Sequence, residues 1–355
     1  MKLSQIGESG LIELLTGGFS CGPEVIRGVG DDTAVLKTNP GNSLLFTTDM
    51  LVEGVHFSLD YCRPEEIGWK LLAVNVSDIA AMGGRPTHAV ISLAIPNHIS
   101  VDHLTSLYRG LKEAAKEYRV NLVGGDTVHT EGGLVLNLAL LGEATAGQVV
   151  YRLGAKPGDV VGVTAPLGAS AAGLYLWQHP DVSCSHLAAD YCRQAYAKPK
   201  PNAAVGVLLA GLGVTAMDDI SDGLATEVLE ICSAGVVGCR LVETDIPVDA
   251  RVWEVAKAAA TDLLSSYSGA GREDAIAERA GLLTRQWALY GGEDFCLLFT
   301  IPADKLNAAR KAAQDSGISI YQVGLIQEGS EIVLEKADGA VVPLPRGGYE
   351  HFGRM

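Results

Sequence analysis

Five times along the chain, carboxylates collect beside glycine or hydroxyl residues at the end of an apolar segment: Gly28–Asp32, Thr47–Asp49, Gly124–Thr127, Asp218–Gly223 and Gly291–Asp294. Taken singly, each is an ordinary turn with an Asp bonded to nearby backbone. Their recurrence constrains the fold more than any single element does. Carboxylates brought to one place repel each other, so a site assembled from them needs cations. The segments that carry them must be strands and helices whose ends converge. Leu44, Leu45 and Phe46 read as a strand, and Thr47, Thr48 and Asp49 follow at its end. Alternation along a strand points Thr47 and Asp49 one way and Thr48 the other. Gly54 and His56 then lie in a loop able to close over a ligand. Oxygen ligands of this kind suit a hard cation such as Mg2+.

The remaining pattern is that of an α/β chain. Its 355 residues exceed one compact core and predict two domains, divided near residue 150 where Tyr151–Asp159 is rich in Gly and Pro. A helix pattern covers Leu11–Leu15, and another runs from Glu65 to Gly84, placing Asn75 and Asp78 on one face. An Asp in so apolar a helix is costly to bury unless it is paired or binds metal. Strands are expected at 89–95, 120–123, 134–142, 160–164, 296–301, 319–326 and 331–335. Helices are expected at 101–118, from about 171, after a Ser221 or Asp222 cap through Ile231, and at 303–315. Residues 179–203 read as less regular and 260–286 as a surface excursion.

Hydrophobic residues make up 48% and charged residues 19%, enough for a large core. No apolar run approaches membrane-spanning length. The first twenty residues lack a signal-peptide pattern. Seven cysteines without a C-x-x-C pair read as reduced thiols, so a cytoplasmic location is expected. The net charge of −15 disfavours nucleic acid. Neither a P-loop motif nor the protein-kinase signature set occurs. The residues therefore indicate a Mg2+-dependent, phosphate-handling enzyme of neither common type.

Eight motifs in order sharpen this: G-V-G-D-D-T-A-V-L, T-T-D-M-L-V-E-G-V-H-F, N-V-S-D-I-A-A-M-G-G, G-G-D-T, R-L-G-A-K-P-G-D, D-I-S-D-G-L, G-G-E-D-F and G-Y-E-H-F. The set resembles the thiamine-monophosphate kinase family, in the aminoimidazole ribonucleotide synthetase superfamily, over about residues 4–353. The resemblance implies a two-domain PurM-like α/β fold. Residues 1–150 would bind ATP and Mg2+ and form an intersubunit β-barrel in a homodimer; 151–355 would be a C-terminal α/β domain. It implies phosphoryl transfer from ATP to thiamine monophosphate. Several Mg2+ ions would be held by Asp32, Thr47, Thr48, Asp49, Asp78, Asp126, Asp219 and Asp222. ATP would meet Gly125, Asp126, Arg152 and Ser221, and the acceptor would meet His56, Glu293 and Tyr349. The acceptor phosphate oxygen is already ionised, so no general base is assigned. The chain departs from the family pattern at Val128, His129, Ala165, Glu230, Phe295 and Cys296. A related enzyme acting on another small acceptor and a non-catalytic ATP or metal sensor remain alternatives.

Overall fold

A nearly all-apolar helix, α1 (Pro64–Ala81), runs through the centre of the molecule. A computed structural model describes residues 25–27, 31–37, 41–269 and 271–350. The helix expected around Leu11–Leu15, Gly28, Gly30, and the tail residues His351 and Phe352 lie outside them. Pro64 sits in the first turn of α1, where its missing N–H is no loss. Glu66 reaches back to the Arg63 N–H at 3.0 Å. Beyond Ala81, Gly83 (φ 71°) lets the chain leave in a left-handed turn. Fifteen of the helix's 18 residues are buried, so it has no solvent face.

Six strands form the first sheet: β1 (Val25–Arg27), β2 (Ala34–Lys37), β3 (Asn42–Val52), β4 (Arg85–Ile95), β5 (Asn121–His129) and β6 (Val135–Thr145). Their order is β1-β2-β3-β6-β4-β5. The β4–β5 pair is parallel and is joined by helix α2 (Val101–Tyr118), which Ser100 caps through the His103 N–H. Leu45, Ile91, Leu93, Leu136, Leu138 and Leu140 face α1 and α2 and pack on Ile67, Leu71, Leu107 and Leu111.

The second sheet holds β7 (Asp159–Val163), β8 (Ala216–Asp219), β9 (Gly238–Val242), β10 (Leu297–Pro302), β11 (Tyr321–Gln327), β12 (Ile332–Glu335) and β13 (Val341–Pro343), in the order β13-β12-β9-β11-β7-β10-β8. Seven helices accompany it: α3 (Ala169–Gln178), α4 (His186–Ala197), α5 (Ala203–Leu212), α6 (Leu224–Gly235), α7 (Ala250–Leu263), α8 (Arg272–Tyr290) and α9 (Leu306–Asp315). The last turn of α1 joins the two halves: Ala80 and Ala81 pack among Val205, Leu209, Met217 and Phe299. Among the described residues, no helix is long and apolar enough to cross a membrane. The six described cysteines are free thiols.

Several sequence expectations are corrected. Residues 179–203 contain α4. Residues 260–286 are not an excursion but the end of α7 and most of α8, whose Ile276, Ala280 and Leu283 are buried in a separate apolar cluster. Small, spaced apolar residues carry that burial, and their pattern is diluted by charge. Gly124–Thr127 is no turn: β5 runs straight through it to His129. Likewise Thr47–Asp49 lies inside β3, which continues to Val52. Helix α6 is capped at Gly223, not by the side chain of Ser221 or Asp222. Glu227 instead accepts the Asp222 N–H at 2.9 Å.

Helices α1 and α2 cross through reciprocal glycines. A Cβ on Gly68 would lie 1.9 Å from the Leu107 carbonyl oxygen, and one on Gly110 would lie 1.8 Å from that of Glu65. Neither backbone can yield without separating the helices. Gly68→Ala or Gly110→Ala is expected to destabilise the fold by about 1–3 kcal/mol or more, seen as a lower melting temperature. A wild-type melting curve for both variants would remove this crossing as a packing constraint.

Candidate active site

The converging segment ends build a buried acidic cluster. Asp32 precedes β2, Thr47 and Asp49 lie on β3, Asp78 is in the last turn of α1, and Asp218 and Asp219 end β8. Thr47 donates to the Asp78 carboxylate at 2.5 Å and lies 3.3 Å from the Asp32 carbonyl oxygen. Carboxylate oxygens of Asp32, Asp218 and Asp219 lie within 4.8 Å of one another. Arg152 is the counter-charge. Its Nη2 reaches Asp32 at 2.5 Å and its Nε lies 2.8 Å from Asp218. The second approach is a charge contact without hydrogen-bond alignment, so Asp218 Oδ2 is left, with Asp32 Oδ2 and Asp219 Oδ2, buried and without a hydrogen-bond partner. The Arg152 backbone N–H is accepted by Asp31 at 2.8 Å, and Asp31 also pairs with Arg27 at 2.6 Å.

One guanidinium cannot neutralise so many acids. Burial pushes Asp49 up to about 6 and Asp219 up to about 8, with neighbouring carboxylates adding to both. Burial and like charge hold Asp78, Asp218 and Glu227 well above the ordinary carboxylate range. Buried oxygen atoms lacking donors, carried by three convergent carboxylates, fit a hard divalent cation.

A cavity of about 520 Å3 opens from this cluster. Asp49, Asp78, Ser221 and Asp222 line it together with His56 and Glu293, and Tyr175, Tyr196, Trp287, Tyr290 and Tyr349 give it aromatic walls. The Val52 N–H donates to His56 Nδ1 at 3.1 Å, so the neutral ring carries its proton on Nε2. The His56 carbonyl accepts from Lys70 Nζ and from the Tyr196 hydroxyl, each at 3.1 Å. Lys70 also pairs with Glu293 at 2.6 Å. Glu293 (φ 66°) and Phe295 (φ 46°) are left-handed, and their N–H groups bond the Ser221 and Ile220 carbonyls at 2.6 and 2.9 Å. Asp294 accepts the Gly168 N–H at 2.8 Å and caps α3; burial pushes it up to about 7.

Not all predicted site residues meet. Asp32, Thr47, Asp49, Asp78 and Asp219 converge, and Ser221, Asp222, His56, Glu293 and Tyr349 line the adjoining cavity. Thr48 does not join them. Its hydroxyl bonds the Leu138 carbonyl and accepts from Asn137 on the opposite face of the sheet. Asp126 is in register with Ser92, which pairs with Asn137, so it shares that opposite face; it is exposed on edge strand β5 beside Gly125. Arg152 is engaged by Asp32 and Asp218. Sequence reasoning missed Asp218, Glu227, Lys70, Tyr196 and Trp287 as site-forming residues. For Lys70 the signal was present: a lysine inside an apolar helix is as anomalous as Asp78. Trp287 lies just past the 260–286 segment taken for an excursion, on the helix that fills most of it.

Two family models cover most of the chain: "AIR synthase related protein, N-terminal domain" matches residues 30–144 and the corresponding C-terminal domain matches 156–336. Thiamine-monophosphate kinase of Bacillus subtilis (strain 168) is 36% identical over 327 residues, covering 92% of this chain and 93% of its own. That of Escherichia coli (strain K12) is 33% identical, covering 93% of each. A solved structure described as AaThiL complexed with AMPPCP and TMP matches with a TM-score of 0.79 and 30% identity, over 99% of both chains. The chain belongs to the AIR synthase related family and, within it, to the thiamine-monophosphate kinases.

The raised pKa values set the sign of a pH effect. A carboxyl that holds its proton more tightly folded than unfolded favours the fold while protonated, and that contribution is lost as pH rises through the folded value. Without divalent cations, the melting temperature is expected to fall between about pH 4 and 8, where the unfolded chain has released protons that folded Asp49, Asp294 and Asp219 still hold. A divalent cation such as Mg2+, if taken up by the ionised cluster, would oppose the fall and stabilise more at the alkaline end. Melting curves across this range with chelator or with Mg2+ check both; a flat or rising trend in chelator would contradict the burial of these acids.

Proposed function

We propose that this chain transfers the γ-phosphoryl group of ATP to thiamine monophosphate, giving thiamine diphosphate and ADP, with Mg2+ held at the acidic cluster. The observation that carries this is the single cavity joining buried carboxylates to an aromatic chamber. The full-length relatives named for this activity, and the neighbour solved with an ATP analogue and TMP, support it. Asp32, Asp49, Asp78 and Asp219 would hold the metal, with Thr47 orienting Asp78, and Asp222 at the cavity edge. When bound, Mg2+ supplies charge neutralisation for the phosphates. The chain supplies position. The aromatic walls and Glu293 suit a flat, cationic thiazolium, since cation–π contact with a desolvated ring is worth roughly 1–2 kcal/mol. Ser221 and Arg152 would meet ATP, Arg152 through exchange of its carboxylate partners. An ionised phosphate oxygen needs no general base, and none of the cavity carboxylates is given that role. Free thiols are in keeping with a cytoplasmic location.

A homodimer belongs to the same reading. One face of the first sheet lies under α1 and α2. Phe46, Met50, Val90 and Val128, on the other face, are 42–53% exposed, and strand β5 is exposed along most of its length. Pairing of two such faces would bury them and cover the edge. Asp126 and Gly125 would then serve a nucleotide at or across that interface, since Asp126 faces away from its own chain's cluster. The division into 1–150 for ATP, Mg2+ and dimerisation and 151–355 for the second α/β domain follows the two sheets.

Incubation with ATP, Mg2+ and a panel of phosphorylated vitamins and nucleotide precursors, with products identified by mass, tests the assignment. Thiamine diphosphate and ADP are expected in equal amounts. ATP turnover with a different acceptor would replace the substrate, and no turnover with any acceptor would favour a sensor. Asp78→Asn is expected to abolish turnover with the fold intact by circular dichroism. Light scattering at micromolar concentration is expected to give the mass of two chains; a fully active monomer would remove the interface.

A further inference from the structure

Lys70 has 2% of its side chain exposed, in the middle of an apolar helix. A buried ammonium is tolerated only with partners. Its partners are three residues of the cavity lining: Glu293 Oε1 at 2.6 Å, the His56 carbonyl at 3.1 Å, and the face of Tyr196 with its centroid 4.0 Å away. The Tyr196 hydroxyl bonds the same carbonyl. His56, Tyr196 and Glu293 line the cavity, while Lys70 stands behind them. Glu293 needs such support, because its left-handed backbone is sparsely populated for a residue with a side chain. Lys70, Val74 and Asp78 also lie four residues apart on α1, and Val74 and Asp78 line the cavity. One rigid helix therefore carries Lys70 behind Glu293 and His56 and carries Asp78 in the acidic cluster, about 12 Å apart along its axis.

We propose that Lys70 is a positioning residue for acceptor selection: it fixes the Glu293 carboxylate and the His56 loop so that an acceptor with a cationic ring is preferred to one with a neutral ring. This rests on the assignment of the cavity as the acceptor site. The competing role is structural, with the Lys70–Glu293 pair merely fastening α1 to the 291–295 turn.

Lys70→Met keeps the length and unbranched shape of the side chain and removes its charge; Glu293, a quarter exposed, can then rehydrate. The measurements are KM for thiamine monophosphate, KM for ATP, the melting temperature, and the ratio of affinities for thiamine monophosphate and a phosphorylated analogue with an uncharged thiophene ring. The expected result is a rise of about tenfold or more in acceptor KM, a smaller cationic-over-neutral preference, and unchanged KM for ATP. An unchanged acceptor KM or an unchanged preference would overturn the proposal, as would a parallel loss for ATP and acceptor with a lower melting temperature. If Lys70→Met does not fold, Lys70→Arg is read instead. Its bulkier fork displaces Glu293, so a smaller acceptor-only rise is expected, and wild-type KM and preference would overturn the proposal. If the wild-type chain neither binds nor phosphorylates thiamine monophosphate, the functional reading fails and takes the proposal with it. Normal wild-type activity with an indifferent variant removes the proposal alone.

Discussion

The architecture depends on burying several carboxylates within contact distance of one another. Such a cluster works against folding unless something carries positive charge into it. Arg152 does so here, bridging Asp32 from the first half and Asp218 from the second. That bridge links the two sheets by charge at the point where substrate phosphates would be neutralised. Arg152 alone leaves three carboxylate oxygens without hydrogen-bond partners. The protein is thus under-neutralised by design of its own sequence, and a divalent cation is the natural complement.

Helix α1 makes this arrangement possible. Because it is buried on every side, it cannot shift to relieve repulsion at Asp78 without disturbing the cores of both halves. The glycine crossing with α2 fixes its height over the first sheet, and the Ala80–Ala81 turn seats it in the second half. Stiffness at the helix becomes spacing in the cavity. Asp78 in the acidic cluster and Lys70 with its partners keep a separation set by helical rise rather than by flexible loops.

Most of the acidic cluster was legible in the sequence because carboxylates are anomalous wherever they interrupt apolar segments. Asp32, Asp49, Asp78 and Asp219 were found on that ground, and the alternation argument had already turned Thr48 away from Thr47 and Asp49. Asp126 falls outside the cluster because G-G-D, read as a turn, lies within strand β5. Inside a strand, one residue of register decides which face an Asp takes, and no local signal reveals that glycines are crossing an edge strand. The aromatic chamber was less legible. Trp287 and Tyr290 come from a helix whose buried residues are widely spaced among charges, while Tyr175 and Tyr196 look like ordinary core aromatics until the fold brings them together. Asp218 was visible beside Asp219, but alternation could not say which would face Arg152.

The 291–295 turn shows how the two ends are coupled. Glu293 and Phe295 adopt left-handed backbone, and each donates its N–H to the segment that carries Asp219, Ser221 and Asp222. Gly292 is needed just before them, since a Cβ there would sit 2.5 Å from the Ser221 carbonyl oxygen. Asp294 turns the other way, into the N-terminus of α3, whose Ser170, Ala171 and Leu174 form another wall of the cavity. Three consecutive side chains therefore serve three surroundings: Glu293 reaches Lys70, Asp294 a helix end, and Phe295 the cavity lining. A regular strand would put Glu293 and Phe295 on one face. Strain of this kind persists only where surrounding contacts over-determine it, and here those contacts come from the metal-end segment on one side and from Lys70 on the other.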